Sequence, residues 1–199
     1  MNFRRPSLAA AACVASLLVL IAGCDKDKKG VVPPAELVDL KPTLAVQKLW
    51  DTGVGGGGEK LRLALGLALD RGVLYTAARD GEVIALDPAS GRAKWSQDTK
   101  ADLAAGPGVG ASLVAVGTSD GKVIALDVAS GKVLWQASVS SEVLSAPLVT
   151  GDRVIVRSVD GRVHALDALT GKSQWTGEEP VPKLSLRGTA PPLLAKDNV

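Results

Sequence analysis

The residues of this chain that could do catalytic chemistry are few and stand far apart. Its single histidine is His164, and its two cysteines are Cys13 and Cys24. A zinc site needs several closely spaced ligands, and a nucleophilic site needs a base beside the nucleophile. His164 also replaces Ile84 and Ile124 at the matching place of a repeat, which favours a structural role. The sequence therefore predicts no metal site, no cofactor and no catalytic residue.

Two other patterns could suggest chemistry but are better explained by backbone turns. Asp87, Asp127 and Asp167 recur 40 residues apart. They are spread too evenly to meet at one site, and each begins a loop in which an aspartate can bond the backbone ahead of it. The glycine run 53–58 lacks the Gly-Lys-Ser/Thr of a phosphate-binding loop, so we interpret it as a flexible connector.

The elements that carry these residues repeat with a period of 40 residues. Each repeat contains Asp-Gly, then Ala-Leu-Asp, then Gly, and ends in Trp95, Trp135 or Trp175. A repeat of this length is one supersecondary unit, which buries its apolar face only against a neighbouring unit. Alternating apolar residues, with turn signals about every 8–12 residues, indicate short antiparallel strands. The pattern predicts an all-β fold, a β-propeller of four-stranded antiparallel blades.

The fixed residues of the repeat have separate structural roles. Gly81, Gly121 and Gly161 each follow an aspartate, and Asp-Gly between apolar runs predicts a type I′ turn joining the second and third strands. Each repeat tryptophan falls on the fourth strand, where its ring can cover the gap between blades and its indole N–H can find a carbonyl. Trp50, 45 residues before Trp95, is predicted to end a strand of a further blade.

Three blades are predicted, at residues 63–98, 102–138 and 143–178. Closure of a propeller needs about four to eight blades. Residues 188–195 resemble the start of the third blade, so a fourth blade is expected to begin as the chain stops. We therefore interpret the sequence as truncated.

The first residues have the features of a bacterial lipoprotein signal. Two arginines precede an apolar run that is too short for a membrane span but typical of a secretory signal. The run ends Ile-Ala-Gly-Cys at Cys24, which resembles a lipobox; an ordinary signal peptide with a chance cysteine is the alternative. We expect a signal peptide over 1–23, the lipidated cysteine and a flexible tether over 24–44, and the propeller over 45–199.

Charge argues against a nucleic-acid partner. The chain has 23 Lys and Arg against 21 Asp and Glu, and the signal contains two of the arginines. The mature protein is therefore neutral, without the basic footprint that phosphate binding requires. The membrane is predicted to be contacted through the lipid anchor alone.

The repeats also resemble a known family. Their form, Gly-x-Val-x-Ala-Leu-Asp-x-x-Ser/Thr-Gly-Lys-x-x-Trp, is similar to the eight-bladed propellers of pyrroloquinoline quinone enzymes and their non-enzymatic relatives. The lipobox, the tether and the segment 182–191, which contains Leu-Ser-Leu-Arg-Gly, more specifically resemble the BamB family of outer-membrane protein assembly factors. This resemblance implies eight blades in the complete protein, of which about three are present here.

The resemblance further implies a partner and its binding residues. In the family the corresponding loop binds BamA, the barrel subunit of the assembly (BAM) complex. The resemblance implies the same binding role for Leu184, Leu186 and Arg187. Two leucines and an arginine on a surface loop have the composition of an interface hot spot. From the residues alone, the alternative is that both leucines simply pack beneath the loop.

The function expected from the resemblance is a periplasmic, non-catalytic scaffold, lipid-anchored at the outer membrane. It would assist insertion of outer-membrane proteins and could contact the nascent proteins themselves. Asp25 resembles the residue that retains lipoproteins in the inner membrane of enteric bacteria. The inner membrane is therefore the alternative location. The alternative function is a membrane-tethered pyrroloquinoline quinone-dependent dehydrogenase whose active-site half is missing.

Overall fold

The computed structural model describes residues 34–39, 41, 43–58, 61, 63, 65–178 and 190–195. In these residues every regular element is a β-strand, and the strands form three four-stranded sheets. All neighbouring strands within a sheet are antiparallel, and their order in space follows the chain. The predicted all-β fold with four-stranded antiparallel blades is thereby confirmed.

The three sheets are the three predicted blades. Blade 1 consists of β1 (Leu67–Asp70), β2 (Val73–Ala77), β3 (Glu82–Leu86) and β4 (Ala93–Asp98). Blade 2 consists of β5 (Leu103–Gly110), β6 (Leu113–Thr118), β7 (Lys122–Asp127) and β8 (Val133–Ser138). Blade 3 consists of β9 (Leu148–Val149), β10 (Arg153–Arg157), β11 (Arg162–Asp167) and β12 (Ser173–Glu178).

Blade 2 is apolar on both faces because it is packed between two neighbours. Successive side chains of a strand point to opposite faces of its sheet. One set packs against blade 1, and consists of Leu103, Val114, Val116, Ile124 and Leu126. The other packs against blade 3, and consists of Ala105, Leu113, Ala115, Val123, Ala125 and Trp135. The core therefore lies in the seams between blades.

The turn between the second and third strands differs from the predicted one. Gly81 has a φ of 101°, but Asp80 is not among the residues with positive φ. The Gly81 N–H donates to the Ala78 carbonyl at 3.1 Å, which closes a longer loop. The type I′ prediction is thus wrong at Asp-Gly. The loop is longer than two residues, and of Asp80 and Gly81 only the glycine adopts the left-handed conformation. That conformation is unfavourable for aspartate, which has a Cβ. Positive φ at two successive residues occurs instead at Arg71 and Gly72, between β1 and β2.

The strand predicted to end at Trp50 is not assigned. Residues 45–54 have no regular secondary structure, and no described strand pairs with them. A strand is defined by hydrogen bonds to a neighbour, so an extended segment without such a neighbour stays irregular.

The chain divides into two compact units, Met1–Val46 and Gln47–Val199, and every assigned strand belongs to the second. In the described part of the first unit, there is no helix or strand. A search of the described residues finds no helix with the length and apolar character needed to cross a membrane. The predicted lipidation residue, Cys24, lies outside the described residues, and the boundaries at 23/24 and 44/45 stay predictions.

Candidate interaction face

Adjacent blades are joined by a tryptophan that reaches from one blade to a loop of the next. The loop is the one that follows the third strand, and it begins with aspartate and ends with glycine. In each case the indole Nε1 donates to a loop carbonyl: Trp50 to Pro88 at 2.8 Å, Trp95 to Val128 at 3.1 Å, and Trp135 to Ala168 at 2.8 Å. Trp50 therefore docks like the repeat tryptophans although its segment has no strand.

The loop glycines are required by the same contact. Gly131 has a φ of 74°, and a Cβ at that position would lie 2.5 Å from Cε3 of Trp95. Gly171 repeats both features against Trp135. Any side chain here would meet both a strained backbone and the face of an indole ring.

Trp175 is placed differently from the other repeat tryptophans. Its exposed fraction is 40%, against 8% for Trp135. Among the described residues no hydrogen bond joins its indole nitrogen to a loop. The tryptophans of the repeat are equivalent in sequence but not in burial.

The loop aspartates act as turn residues, as predicted. Oδ1 of Asp127 accepts from the backbone N–H of Ser130 at 2.8 Å and from its hydroxyl at 2.6 Å. The hydroxyl bond of Ser130, followed by its backbone bond, holds the pKa of Asp127 below the ordinary value. Asp87 and Asp167 repeat the arrangement. These carboxylates stabilise their own loops and are not directed at a common site.

The turns between second and third strands lie at one end of the blades, together with the connections between blades. We call this end the turn face, formed by residues 78–81, 118–121 and 158–161 with the connections that follow β4 and β8. Thr99 and Val139, the first residues of those connections, each donate a backbone N–H to the glycine carbonyl of the adjacent turn. Chain leaving the fourth strand of a blade therefore enters the turn face.

The predicted partner-binding residues follow β12. Glu178, its last residue, lies opposite Arg162 and forms an ion pair with it at 3.5 Å. Leu184, Leu186 and Arg187 themselves lie outside the described residues, so their role as a binding site stays a prediction. The structure places Glu178, the last described residue before their connection, beside the turn face of blade 3.

The glycine run is fixed to the turn face by two carboxylates, which the sequence did not predict. The Gly56 N–H donates to Oδ2 of Asp80 at 2.7 Å, and the Gly55 N–H donates to Oε2 of Glu82 at 3.0 Å. A Cβ on Gly55 would lie 2.2 Å from that of Ala78, so the segment has no room for a side chain there. No local sequence signal indicates these contacts, because they join residues 24 and 27 apart in the chain.

A cavity of about 320 Å³ lies beside the glycine run, and its lining residues are Gly56, Gly57, Gly58, Leu61, Arg79, Asp80 and Asp102. Its charged groups already have partners. Arg79 donates to Asp102 at 3.0 Å and to the Ser119 hydroxyl at 2.9 Å, which ties blade 1 to blade 2. The cavity is thus bordered by an inter-blade polar link.

His164 is buried beneath the turn face, in the seam between blades 2 and 3. Its Nε2 lies 3.0 Å from the Ser140 hydroxyl and 3.2 Å from the Ser158 hydroxyl, and its Nδ1 lies 3.3 Å from the hydroxyl of Thr176. Burial lowers the pKa of His164, although the nearby Asp160 carboxylate acts in the opposite direction. The neutral imidazole therefore links blade 3 to the connection that contains Ser140.

Ser158 is not placed to act as a nucleophile toward His164. A serine nucleophile would have to give its proton to the histidine. The Ser158 hydroxyl instead donates to Oδ1 of Asp160, and the side chain is buried, with 1% exposed. In the described part of the chain, no group of three or more His, Cys, Asp or Glu could hold a metal ion.

Repeated four-stranded antiparallel blades joined by tryptophan-to-loop contacts define the class of protein, a β-propeller. A protein-family model described as outer membrane protein assembly factor BamB matches residues 46–104 and 79–199. The chain belongs to that family.

Individual relatives agree with the family assignment. BamB of Pseudomonas aeruginosa is 42% identical over 99 residues, which is 50% of this chain and 26% of that protein. BamB of Xanthomonas campestris is 43% identical over 99 residues, 45% of this chain and 24% of that protein. The crystal structure of BamB from Moraxella catarrhalis superposes with a TM-score of 0.62 at 31% identity, over 69% of this chain and 41% of that one. The chain spans about a quarter of the length of these curated relatives.

Proposed function

We propose that this protein is a scaffold subunit of the outer-membrane β-barrel assembly complex, which binds BamA and assists the folding and insertion of outer-membrane proteins. The observation that carries this proposal is the family match, which runs from residue 46 to the last residue of the chain. The relatives named above are called assembly factors, and their name describes a role in assembly. Because the chain spans only part of those relatives, the function is a proposal for the complete protein.

The proposed BamA contacts are Leu184, Leu186 and Arg187. Support comes from their place in the chain: the connection that contains them leaves β12 at Glu178, on the turn face. A surface connection can present apolar anchors and a guanidinium without loss of core packing. The turn face is therefore the side of the propeller that we assign to BamA, and nascent outer-membrane proteins are a second proposed class of ligand.

The proposed location is the periplasmic face of the outer membrane, with Cys24 as the lipidated residue. The support is the Ile-Ala-Gly-Cys sequence at the end of a short apolar run, followed by a polar segment with three prolines. Acyl chains contribute about 0.8 kcal/mol per buried methylene, so multiple acylation anchors a protein stably. Separating inner from outer membranes and finding which fraction contains the protein measures the effect of Asp25 on sorting.

We further propose that the protein is not an enzyme. The support is structural: His164 is buried in a seam with its ring nitrogens next to three hydroxyl groups, and the loop aspartates stabilise their own turns. These residues therefore have structural partners that account for their positions.

The test of this function is recovery of the complex from membranes. An affinity tag at the C-terminus of the full chain, expressed in a strain lacking its own BamB, should recover BamA after mild detergent extraction. The control is the same preparation with the tag on an unrelated lipoprotein of similar abundance. Recovery of equal amounts of BamA with both proteins would contradict the proposal.

A further inference from the structure

One buried position of the repeat holds a titratable side chain in blade 3 and an aliphatic one in the other two blades. The residues are Ile84 in blade 1, Ile124 in blade 2 and His164 in blade 3. His164 pairs in the register with Val156, which belongs to the core cluster shared by blades 2 and 3. The histidine therefore faces blade 2, and only 7% of its surface is exposed. A group that can take up a proton thus stands in a seam whose two blades are both described.

The groups hydrogen-bonded to this imidazole are uncharged. They are the hydroxyls of Ser140, Ser158 and Thr176, each within hydrogen-bond distance of a ring nitrogen. A hydroxyl can donate or accept, so these groups can satisfy a neutral imidazole. They supply no negative charge for an imidazolium, and a buried cation without a counter-ion in contact is costly. The contacts therefore favour the neutral ring.

The charged groups around the ring do not remove that cost. Burial is the largest influence and lowers the pKa of His164; Asp160 in the adjacent turn opposes it, and Arg162 on the same strand reinforces it. Arg162 forms ion pairs with Asp160 and with Glu178 of β12. The connection from blade 2 adds Glu142, which is half-buried. Blade 2 itself meets the seam with apolar side chains.

The part of this seam that can move is the connection from β8 to blade 3. Residues 139–142 form no strand, and Ser140 is exposed to solvent while it bonds the imidazole. The connection is bonded to blade 2 at two places. The Val139 N–H donates to the Gly121 carbonyl at 2.8 Å, and the Val143 N–H donates to the carbonyl of the last residue of β6 at 3.1 Å. Displacement of this connection would admit water to the ring and leave the strand ladders intact.

We propose that His164 is a pH-sensitive switch of the seam between blades 2 and 3: protonation of its imidazole displaces the connection that contains Ser140 and opens the seam at the turn face. Water then solvates the imidazolium. The closed form has the lower pKa, so the open form binds the proton more strongly. The seam is therefore closed above the ordinary histidine pKa of about 6.5 and opens progressively as the pH falls below it. The seam between blades 1 and 2, which has Ile124 at this position, lacks the switch.

The test follows His164 and the backbone amides of the seam in the full chain, made without its lipid and without a histidine tag. His164 is the only histidine of the sequence, so an NMR titration assigns its imidazole without ambiguity. Its pKa should lie below 6.5. Amide hydrogen exchange, corrected for the intrinsic effect of pH, should show weaker protection of Val139 and Val143 at about pH 5.5 than at about pH 7.5. The loss should reach at most about tenfold for each unit by which the pKa is lowered.

The chain contains its own control for a general effect of acid. The Thr99 N–H donates to the Gly81 carbonyl at 2.9 Å, which is the bond of Val139 repeated 40 residues earlier, at the seam with Ile124. Thr99 should keep its protection over the same pH range.

Two substitutions isolate the histidine. His164→Ile restores the residue of the other blades, and His164→Gln keeps a donor and an acceptor but does not titrate. In both variants the protection of Val139 and Val143 should no longer depend on pH in this range. If His164→Ile fails to fold, His164→Gln decides the result.

Three results would overturn the inference. The first is a pKa of 6.5 or above for His164. The second is an equal loss of protection at Thr99 and Val139, which would indicate a general effect of acid. The third is pH-dependent protection that persists without the histidine, which would assign it to carboxylates such as Asp160 or Glu142. None of these measurements involves BamA, so the inference stands or falls independently of the proposed function.

Discussion

The indole Nε1 of Trp135 donates a 2.8 Å hydrogen bond to the carbonyl oxygen of Ala168, 33 residues further along the chain and in the next blade. A Cβ added to Gly171, at the end of the same loop, would lie 2.5 Å from the indole ring. One side chain thereby fixes both ends of a neighbouring loop. Since the same contact recurs at Trp50 and Trp95, it sets the spacing between blades.

Truncation of the repeat tryptophans should have unequal effects. Trp135 is buried and hydrogen-bonded, so Trp135→Ala should cost about 3–5 kcal/mol of unfolding free energy. Trp175 is 40% exposed in this chain, and Trp175→Ala should cost clearly less. Urea denaturation of both variants checks the difference. Equal losses would contradict the role assigned to the seam contact.

The loop glycines should not tolerate alanine. Gly131→Ala places a Cβ against Trp95 at a residue whose φ is 74°, and should destabilise by about 1–3 kcal/mol. Gly151→Ala is the matched control, because a Cβ there meets nothing within 4 Å and its φ is not positive. Thermal unfolding should separate the two variants. A Gly131→Ala protein as stable as the control would show that the loop can shift away from the ring.

The pKa of Asp127 should respond to Ser130. Ser130→Ala removes the hydroxyl bond that contributes most to the lowered pKa, so the pKa should rise toward the ordinary value of about 3.9. A lowered carboxyl pKa gives stability that is present above the unfolded pKa and lost as pH falls through the folded pKa. NMR titration of the aspartate carbons measures the shift. Ser130→Thr is the control, since Thr170 makes the equivalent bond in blade 3; a pKa unchanged by Ser130→Ala would refute the assignment.

Much of the fold could be predicted from the sequence, because its signals are local and repeated three times. Alternating apolar residues and the Asp-to-Gly loops indicate strands and hairpins by short-range chemistry alone. The type I′ prediction was wrong because Asp-Gly occurs both in two-residue loops and in loops with one left-handed glycine. Loop length, set by the register of β2 on β3, decides between them.

The candidate face was harder to predict, since its contacts join distant residues. Nothing in the local sequence brings Gly56 to Asp80 or Ser140 to His164.

The lipid anchor should depend on Cys24. Cys24→Ala should give a protein that is not acylated and that leaves the membrane fraction, because the proposed lipid attachment requires the cysteine sulfur. Cys13→Ala is the control, since Cys13 lies within the predicted signal and should not affect anchoring. Cell fractionation with a carbonate wash, and mass spectrometry of the mature N-terminus, measure the outcome. A Cys24→Ala protein that resists the carbonate wash would refute the lipoprotein assignment.

The central claim, that the connection after blade 3 binds BamA, is tested most directly by the affinity of one variant. The full chain carrying Leu184→Ala, Leu186→Ala and Arg187→Ala is titrated with the periplasmic domains of BamA, and its melting temperature is measured alongside. The account predicts at least about thirtyfold weaker binding, since hot-spot truncations cost about 2 kcal/mol or more and each 1.4 kcal/mol is tenfold. It also predicts little change in melting temperature. Unchanged affinity, or lost affinity with a large fall in melting temperature, would contradict it.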